Sequence, residues 1–200
     1  MSQNLEILIQ KYYLLKQQNF NEIERNLLNI ANSQNFKISC KKKCDYCCIA
    51  YLIGPEIEIE LINYFINNTE YLKKKIIKNI KKWLDKILKF ENLINQIKEI
   101  IPIIGCGAPS IEEVRKYYSL ANEYLKLKIK CPFLENNICL LYPVRPFVCA
   151  NICSITAPKL CKNLAADRKI LKSSIPPVVI AINNKIVFYP IVEKIFEKIN

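Results

Sequence analysis

The cysteines of this chain fall in two dense segments, and any fold it adopts is expected to bring them to one place. Cys40-x3-Cys44-x2-Cys47-Cys48 puts four thiols within nine residues. More than 80 residues further on come Cys131, Cys139, Cys149, Cys153 and Cys161. A two-residue gap lets two cysteines turn back on one ion, as in zinc knuckles and cluster loops. The neighbouring side chains of Cys47 and Cys48 diverge, so both serve as ligands only if the backbone bends there or they meet different metal atoms.

The chain contains ten cysteines and no histidine. General acid–base work by an imidazole is excluded, and so are Ser–His–Asp and Cys–His arrangements. An open catalytic zinc site usually includes a histidine. Any metal site is therefore thiolate-dominated, which points to structural zinc or an iron–sulfur cluster. The N-terminus shows no basic start followed by an apolar run and a small-residue cleavage site, so no signal peptide is expected. No long uncharged apolar stretch reads as a membrane span. The expected address is cytoplasmic. Thiols are kept reduced there, which favours metal ligation over a disulfide framework.

The net charge is +12, but only four of the 30 basic residues are Arg. Base readout and bidentate phosphate contacts draw on Arg. The lysines read better as solvated helix faces in a chain rich in Lys, Asn and Ile, and a nucleic-acid partner is disfavoured.

With 51% hydrophobic residues, the chain can bury a core. The pattern predicts a single cysteine-cluster domain over 1–200. Its fold class is mainly α: a helical bundle carrying two Cys-rich loops, with a small C-terminal β-hairpin. Leu5, Leu8, Ile9, Tyr12 and Leu15 mark a first helix. Asn21 and Glu24 look like the capping box of a second, running to Ala31. Gly54-Pro55-Glu56 opens a helix to about Asn67. Thr69 caps a long one with Leu72, Ile76, Ile80, Trp83, Ile87 and Ile94 on one face, which Pro102 ends. Ile100 to Ser110 is expected to be a turn-rich connector; its Gly105-x-Gly107 is a weak nucleotide-loop signal. Ser110 and Glu113 form a capping box for a helix to about Lys128. Residues from about 69 to 130 are thus a helical insertion between the two cysteine groups. Val178 to Ile182, Asn183-Asn184 and Lys185 to Tyr189 read as a hairpin, followed by a short terminal helix.

Within the second group, Asn136-Asn137 suits a tight turn that brings Cys131 and Cys139 together. Cys149 and Cys153 are four apart, so a helical turn would put them on one face. Lys41, Lys42 and Lys43 would lower neighbouring thiol pKa values. Cys106 stands apart and reads as an ordinary buried cysteine. The candidate metal ligands are Cys40, Cys44, Cys47, Cys48, Cys131, Cys139, Cys149, Cys153 and Cys161. A [4Fe–4S] iron–sulfur cluster is favoured over zinc, because these thiols outnumber the four that one zinc needs.

The order Cys-x3-Cys-x2-Cys-Cys, then Cys131-Pro132-Phe133-Leu134, Cys139 and Tyr142-x2-Arg145-Pro146-x2-Cys149, resembles the YkgJ-like cysteine-cluster family. That family is described as a zinc- or iron-chelating domain. Its cysteine positions fall on Cys40, Cys44, Cys47, Cys48, Cys131, Cys139 and Cys149. Its Arg-Pro falls on Arg145 and Pro146, which makes Arg145 a cofactor-binding candidate. Many members carry Arg directly after the last motif cysteine, where this chain has Ala150. The resemblance implies a metal- or cluster-binding site; the expected function is a metal- or cluster-binding protein in an accessory, electron-transfer or metal-handling role, with an unknown protein partner left open. An enzyme is the alternative. Cys40-x3-Cys44-x2-Cys47 with Tyr46 also resembles the cluster motif of radical S-adenosylmethionine enzymes, which build it on a βα barrel. Flagellin lysine N-methylases are longer proteins with a similar cysteine pattern.

Overall fold

A single helix, α1 (Gln3–Ser33), opens the chain and runs for 31 residues. The computed structural model describes residues 3–40, 44–106, 108–156, 160–161 and 169–199. The break expected at Asn21 does not occur. Ile23, Leu27 and Ala31 continue the buried stripe of Ile9, Tyr12, Lys16 and Asn19, and the Asn21 carbonyl accepts from Arg25 Nε. Burial along a whole helix face outweighs a local capping signal. Asn35, at φ 54°, ends the helix in the left-handed region, and Phe36 N–H donates back to the Ala31 carbonyl.

The chain is mainly α, as its periodicity predicts. Strand β1 (Ile53–Pro55) leads straight into α2 (Glu56–Asn67). Glu56 and Glu58 in the first turn suit the positive end of the helix dipole. The long helix expected after Thr69 is divided. α3 (Glu70–Ile87) passes through a 3₁₀ turn at Leu88–Phe90 into α4 (Glu91–Cys106). Pro102 lies inside α4 rather than ending it. The expected connector is correspondingly shortened, because Gly105 belongs to α4 and brings that helix onto Phe188. A Cβ on Gly105 would stand 2.4 Å from Phe188 Cβ. Gly105 is thus a packing residue and no phosphate loop; Gly107 lies outside the described residues.

Helix α5 (Ile111–Lys126) starts with the expected capping box, both of its bonds made between Ser110 and Glu113. Residues 70–126 therefore supply α3, α4 and α5 between the two cysteine groups. β2 (Leu134–Glu135) and β3 (Ile138–Cys139) then form a hairpin around Asn136 and Asn137, at φ 47° and 62°. A 3₁₀ turn (Tyr142–Val144), the one-turn helix α6 (Phe147–Ala150) and β4 (Ile152–Ser154) follow. β4 pairs with β5 (Ile170–Lys172). The C-terminal hairpin turns at Asn183-Asn184, φ 53° and 61°, and closes through the Ile182–Lys185 bridge. Its second arm continues as β6 (Phe188–Pro190), which pairs antiparallel with β1 and runs into α7 (Ile191–Ile199). Each strand of this pair hands its chain to a helix, and α2 and α7 pack together.

Two polar-centred contacts pin the helices. Tyr51 stacks on Trp83 and meets Tyr124 edge-on, with centroids 6.2 and 5.2 Å away. Trp83 Nε1 donates to the Tyr124 hydroxyl, and the Tyr51 hydroxyl donates to Glu193. This ties α3, α5 and α7 to the segment just after Cys48.

The second contact is a buried ion pair. Lys16 Nζ lies 2.5 Å from Glu58 Oε1, with side chains 0% and 2% exposed. Glu58 Oε1 also accepts from Phe147 N–H at 2.9 Å. The ammonium is close to the Val144 carbonyl and to the rings of Phe147, Phe20 and Tyr12. Burial pulls the Lys16 pKa below its ordinary value, and Glu58 opposes that pull. Gly54 makes room for the carboxylate: a Cβ there would come within 2.7 Å of Glu58 Oε2.

Removing one partner of such a pair strands the other charge in the core. Lys16→Met should destabilise the chain by about 3–5 kcal/mol in urea unfolding. Lys16→Met with Glu58→Gln should recover part of that loss, because both charges leave together. A single variant within about 1 kcal/mol of the parent, the range of an exposed pair, would remove this contact from its structural role.

Candidate metal centre

The first cysteine segment is laid along the second by backbone bonds. After α1 the chain runs extended. Ser39 N–H donates to the Ser154 carbonyl at 2.8 Å, and Ser154 N–H donates to Cys40 Sγ at 3.1 Å. Ser39 Oγ donates to the Thr156 carbonyl. A tight turn from Asp45 to Cys48 follows, closed by Cys48 N–H to the Asp45 carbonyl. It is clamped by Lys130, whose Nζ lies 2.7 Å from Asp45 Oδ2.

The second segment arrives beside it. α5 gives way to Lys128 at φ 53°, and Cys131 N–H donates to the Cys48 carbonyl at 2.8 Å. The hairpin of β2 and β3 carries Cys139 back alongside Leu134. Arg145-Pro146 leads into α6, which carries Cys149, and Glu58 holds the start of α6 through Phe147 N–H. The two cysteine groups, more than 80 residues apart in the chain, are thus hydrogen-bonded to each other at both ends of the first segment.

The described thiols are Cys40, Cys44, Cys47, Cys48, Cys131, Cys139, Cys149, Cys153 and Cys161, and all are free. They divide into two neighbourhoods. In the inner one, burial and then the neighbouring Cys149 thiol push Cys131 above its ordinary pKa. Burial, then Cys47 and Cys139, do the same to Cys149. Burial also raises Cys139, with Cys47 adding to it. Cys47 is raised first by its hydrogen bond to Cys48 and then by desolvation. The outer neighbourhood is a pocket lined by Cys40, Cys44, Cys47, Cys153 and Cys161. Cys40, at its open edge, is raised by partial burial and lowered by the Ser154 N–H. Cys47 stands at the exposed rim between the two.

Arg145 occupies the inner neighbourhood. Its guanidinium lies 4.4 Å from the Tyr142 ring centroid and 5.7 Å from that of Phe20. Its charge draws the thiols of Cys47, Cys139 and Cys149 downward, against the stronger pull of burial. Its Nε is buried with no hydrogen-bond partner among the described residues. A fixed cation beside several thiols, with a donor to spare, suits an anionic thiolate centre. The donor set fits zinc or an iron–sulfur cluster on its chemistry. Among the described residues, however, no three or more Cys, Asp or Glu side chains stand in the arrangement that holds one ion.

One expectation is corrected. Cys149 and Cys153 do not share a helix face: α6 ends at Ala150, and Cys153 is paired in β4 opposite Leu171. Cys149 therefore belongs to the inner neighbourhood and Cys153 to the outer. The one-turn helix is too short to span both, and β4 is fixed by its partner strand. The turn at Asn136-Asn137 forms as expected and brings Cys139 within electrostatic reach of Cys131. Lys41, Lys42 and Lys43 lie outside the described residues, as does the side chain of Cys106.

Two contributors are not apparent from the cysteine pattern: the Lys16–Glu58 pair under Cys149, and Ser154 between Cys40 and Cys161. Lys16 does leave a trace in the sequence, since it falls on the apolar stripe of α1 between Tyr12 and Ile23. Comparison of the chain with protein families, with curated proteins and with solved structures finds no match.

The inner thiols make the metal-free fold sensitive to base. Cys131 and Cys149 are held above the ordinary cysteine value of 9.0. A raised thiol contributes stability below its unfolded pKa, and that stability is lost as pH rises past it. The urea midpoint of the metal-free chain should therefore fall as pH rises from 8 to 10. Cys149→Ala should make that fall shallower; an identical pH profile for this variant would contradict the assignment.

Proposed function

We propose that this chain is a cytosolic metal- or iron–sulfur-binding protein with an all-cysteine site, acting in an accessory, electron-transfer or metal-handling role. The observation that carries this reading is the joining of the two cysteine segments, Cys131 N–H to the Cys48 carbonyl and Ser154 N–H to Cys40 Sγ. Scattered buried cysteines would not call for two distant segments to be bonded to each other around their thiols. The order of the motif residues from Cys40 to Cys149 supports it too, through the resemblance to the YkgJ-like family.

The inner residues Cys47, Cys131, Cys139 and Cys149 would hold the group, with Cys48 beside Cys47 and Arg145 offsetting the thiolate charge. A [4Fe–4S] cluster is favoured over zinc on the surplus of thiols, and it would supply one-electron transfer when bound. The thiols must lose their protons to bind, so loading should improve with pH. The enzyme alternative has less behind it. The described strands form only short antiparallel pairs, which do not make the βα barrel of radical S-adenosylmethionine enzymes. No helix among the described residues is long and apolar enough to cross a membrane.

Anaerobic purification with metal analysis and a visible spectrum tests this. Iron with acid-labile sulfide and broad visible absorption is the expected result. Stoichiometric zinc in a colourless protein would replace the cluster by zinc, and no metal under any loading condition would end the proposal. Arg145→Ala should weaken metal retention about 10–100-fold, as loss of an outer partner of a metal site does. Arg145→Lys should restore part of it.

A further inference from the structure

Half of the net charge of +12 lies between Glu70 and Phe90, where eight lysines stand against Glu70 and Asp85 alone. A general bias towards lysine does not account for this. α1, α5 and α7 carry as many acidic as basic residues. α4 carries one acid more than base, and α2 has three acids and no base. We propose that the lysine face of α3 docks this protein on a lipid bilayer surface that carries negatively charged headgroups. This goes beyond the all-cysteine reading above and does not depend on it.

The fold turns the charge outward. Leu72, Ile76, Ile80, Trp83 and Ile87 are buried along one side of α3. Lys74, Lys78, Lys81, Lys82, Lys86 and Lys89 are exposed on the rest of its surface and on the 3₁₀ turn that follows. Lys74 meets Glu70 at 3.5 Å, with both side chains well exposed, and such a pair holds little of the charge. Lys75 is taken by Glu135 and the Tyr71 hydroxyl. Lys73, Lys78, Lys81, Lys82, Lys86 and Lys89 have no ion pair among the described residues. Lys74, Lys78, Lys82 and Lys86 follow one another at four-residue steps. Like charges at that spacing disfavour a helix, and an anionic surface would relieve their repulsion. Lysine clusters of this size on a helix face are attracted to anionic headgroups.

The chemistry of the face selects lipid over nucleic acid. Every basic residue of α3 is Lys and none is Arg. A flexible ammonium is a point charge that suits a fluid headgroup layer, whereas the fixed fork of Arg suits phosphate and base readout. Large apolar side chains stand at the two ends of the lysine array: Tyr71, 71% exposed, and Leu88, 64% exposed. Leu88 gains nothing from a phosphate backbone. At a bilayer, it and Tyr71 can enter the boundary between headgroups and acyl chains. The contact is peripheral, because the opposite side of α3 stays in the core of the protein.

Cosedimentation of the full chain with lipid vesicles tests this. The probes are vesicles of phosphatidylglycerol and phosphatidylcholine in equal parts, vesicles of phosphatidylcholine alone, and duplex DNA. The anionic vesicles should bind the chain and the neutral ones should not. Salt near 1 M, where a charge is felt over only about 3 Å, should release it. Lys78→Gln with Lys82→Gln should weaken binding about 30-fold, on the scale of lysines near an anionic surface. Lys116→Gln with Lys126→Gln, an equal charge change on the balanced helix α5, should bind as the parent does. Leu88→Ser should weaken binding and leave its salt dependence unchanged. Far-ultraviolet circular dichroism checks that each variant keeps its helices. Failure to bind anionic vesicles, or equal binding to neutral ones, would overturn the proposal. Equal losses from the α3 and α5 pairs would also overturn it, since net charge alone would then be responsible. Capture of DNA in place of the vesicles would give the face to nucleic acid instead.

Discussion

The ion pair of Lys16 and Glu58 lies where three parts of the chain converge: the middle of α1, the first turn of α2, and the turn from Val144 to Phe147. Glu58 accepts from both Lys16 and the first amide of α6, so one carboxylate fixes a long helix and the short helix that carries Cys149. Charges this deep are costly unless their hydrogen-bonding capacity is met. Here a carboxylate, a carbonyl and three aromatic rings surround the ammonium. The pair therefore favours one register of α1 against α2, since a shifted register would bury each charge alone.

The same pair bears on the thiols. Cys149 feels Glu58 as well as Arg145, so its surroundings hold both signs of charge. In a protonated state the half-buried thiols of Cys131, Cys139 and Cys149 are ordinary groups of moderate polarity. Once ionised they would need the positive charges of Arg145 and Lys16 close by. Arg145 lies against the rings of Tyr142 and Phe20, a contact that suits a flat guanidinium. The cysteine segments and the ion pair thus form one electrostatic unit, though they come from different stretches of sequence.

Much of the helical frame was legible in the residues. Pro55-Glu56, Thr69 and the Ser110–Glu113 box mark helix starts where the fold has them; the Ser110–Glu113 box makes its cap bonds, whereas Thr69 stands at the N-cap position with no side-chain cap bond. The places where the fold departs from the local pattern have a common physical source. At Asn21 a local capping pattern competes with a buried stripe that spans α1. At Pro102 a local breaker competes with the packing of α4 on β6 through Gly105. In both cases tertiary burial outweighs the local signal. The split of Cys149 from Cys153 is the same lesson at the site: spacing suggests a shared helical face, and pairing of β4 with β5 removes it.

From the sequence alone follow the absence of any histidine donor, a mainly α frame, and the expectation that two cysteine segments belong together. These are matters of composition and short-range pattern, which need no knowledge of distant contacts. Only the tertiary structure decided which thiols neighbour which. It placed Ser154 between Cys40 and Cys161, set Cys131 against Cys48, and put Arg145 and the Lys16–Glu58 pair beneath Cys149. Those neighbours are separated by up to 133 positions, from Lys16 to Cys149, and their approach depends on how whole helices and strands pack.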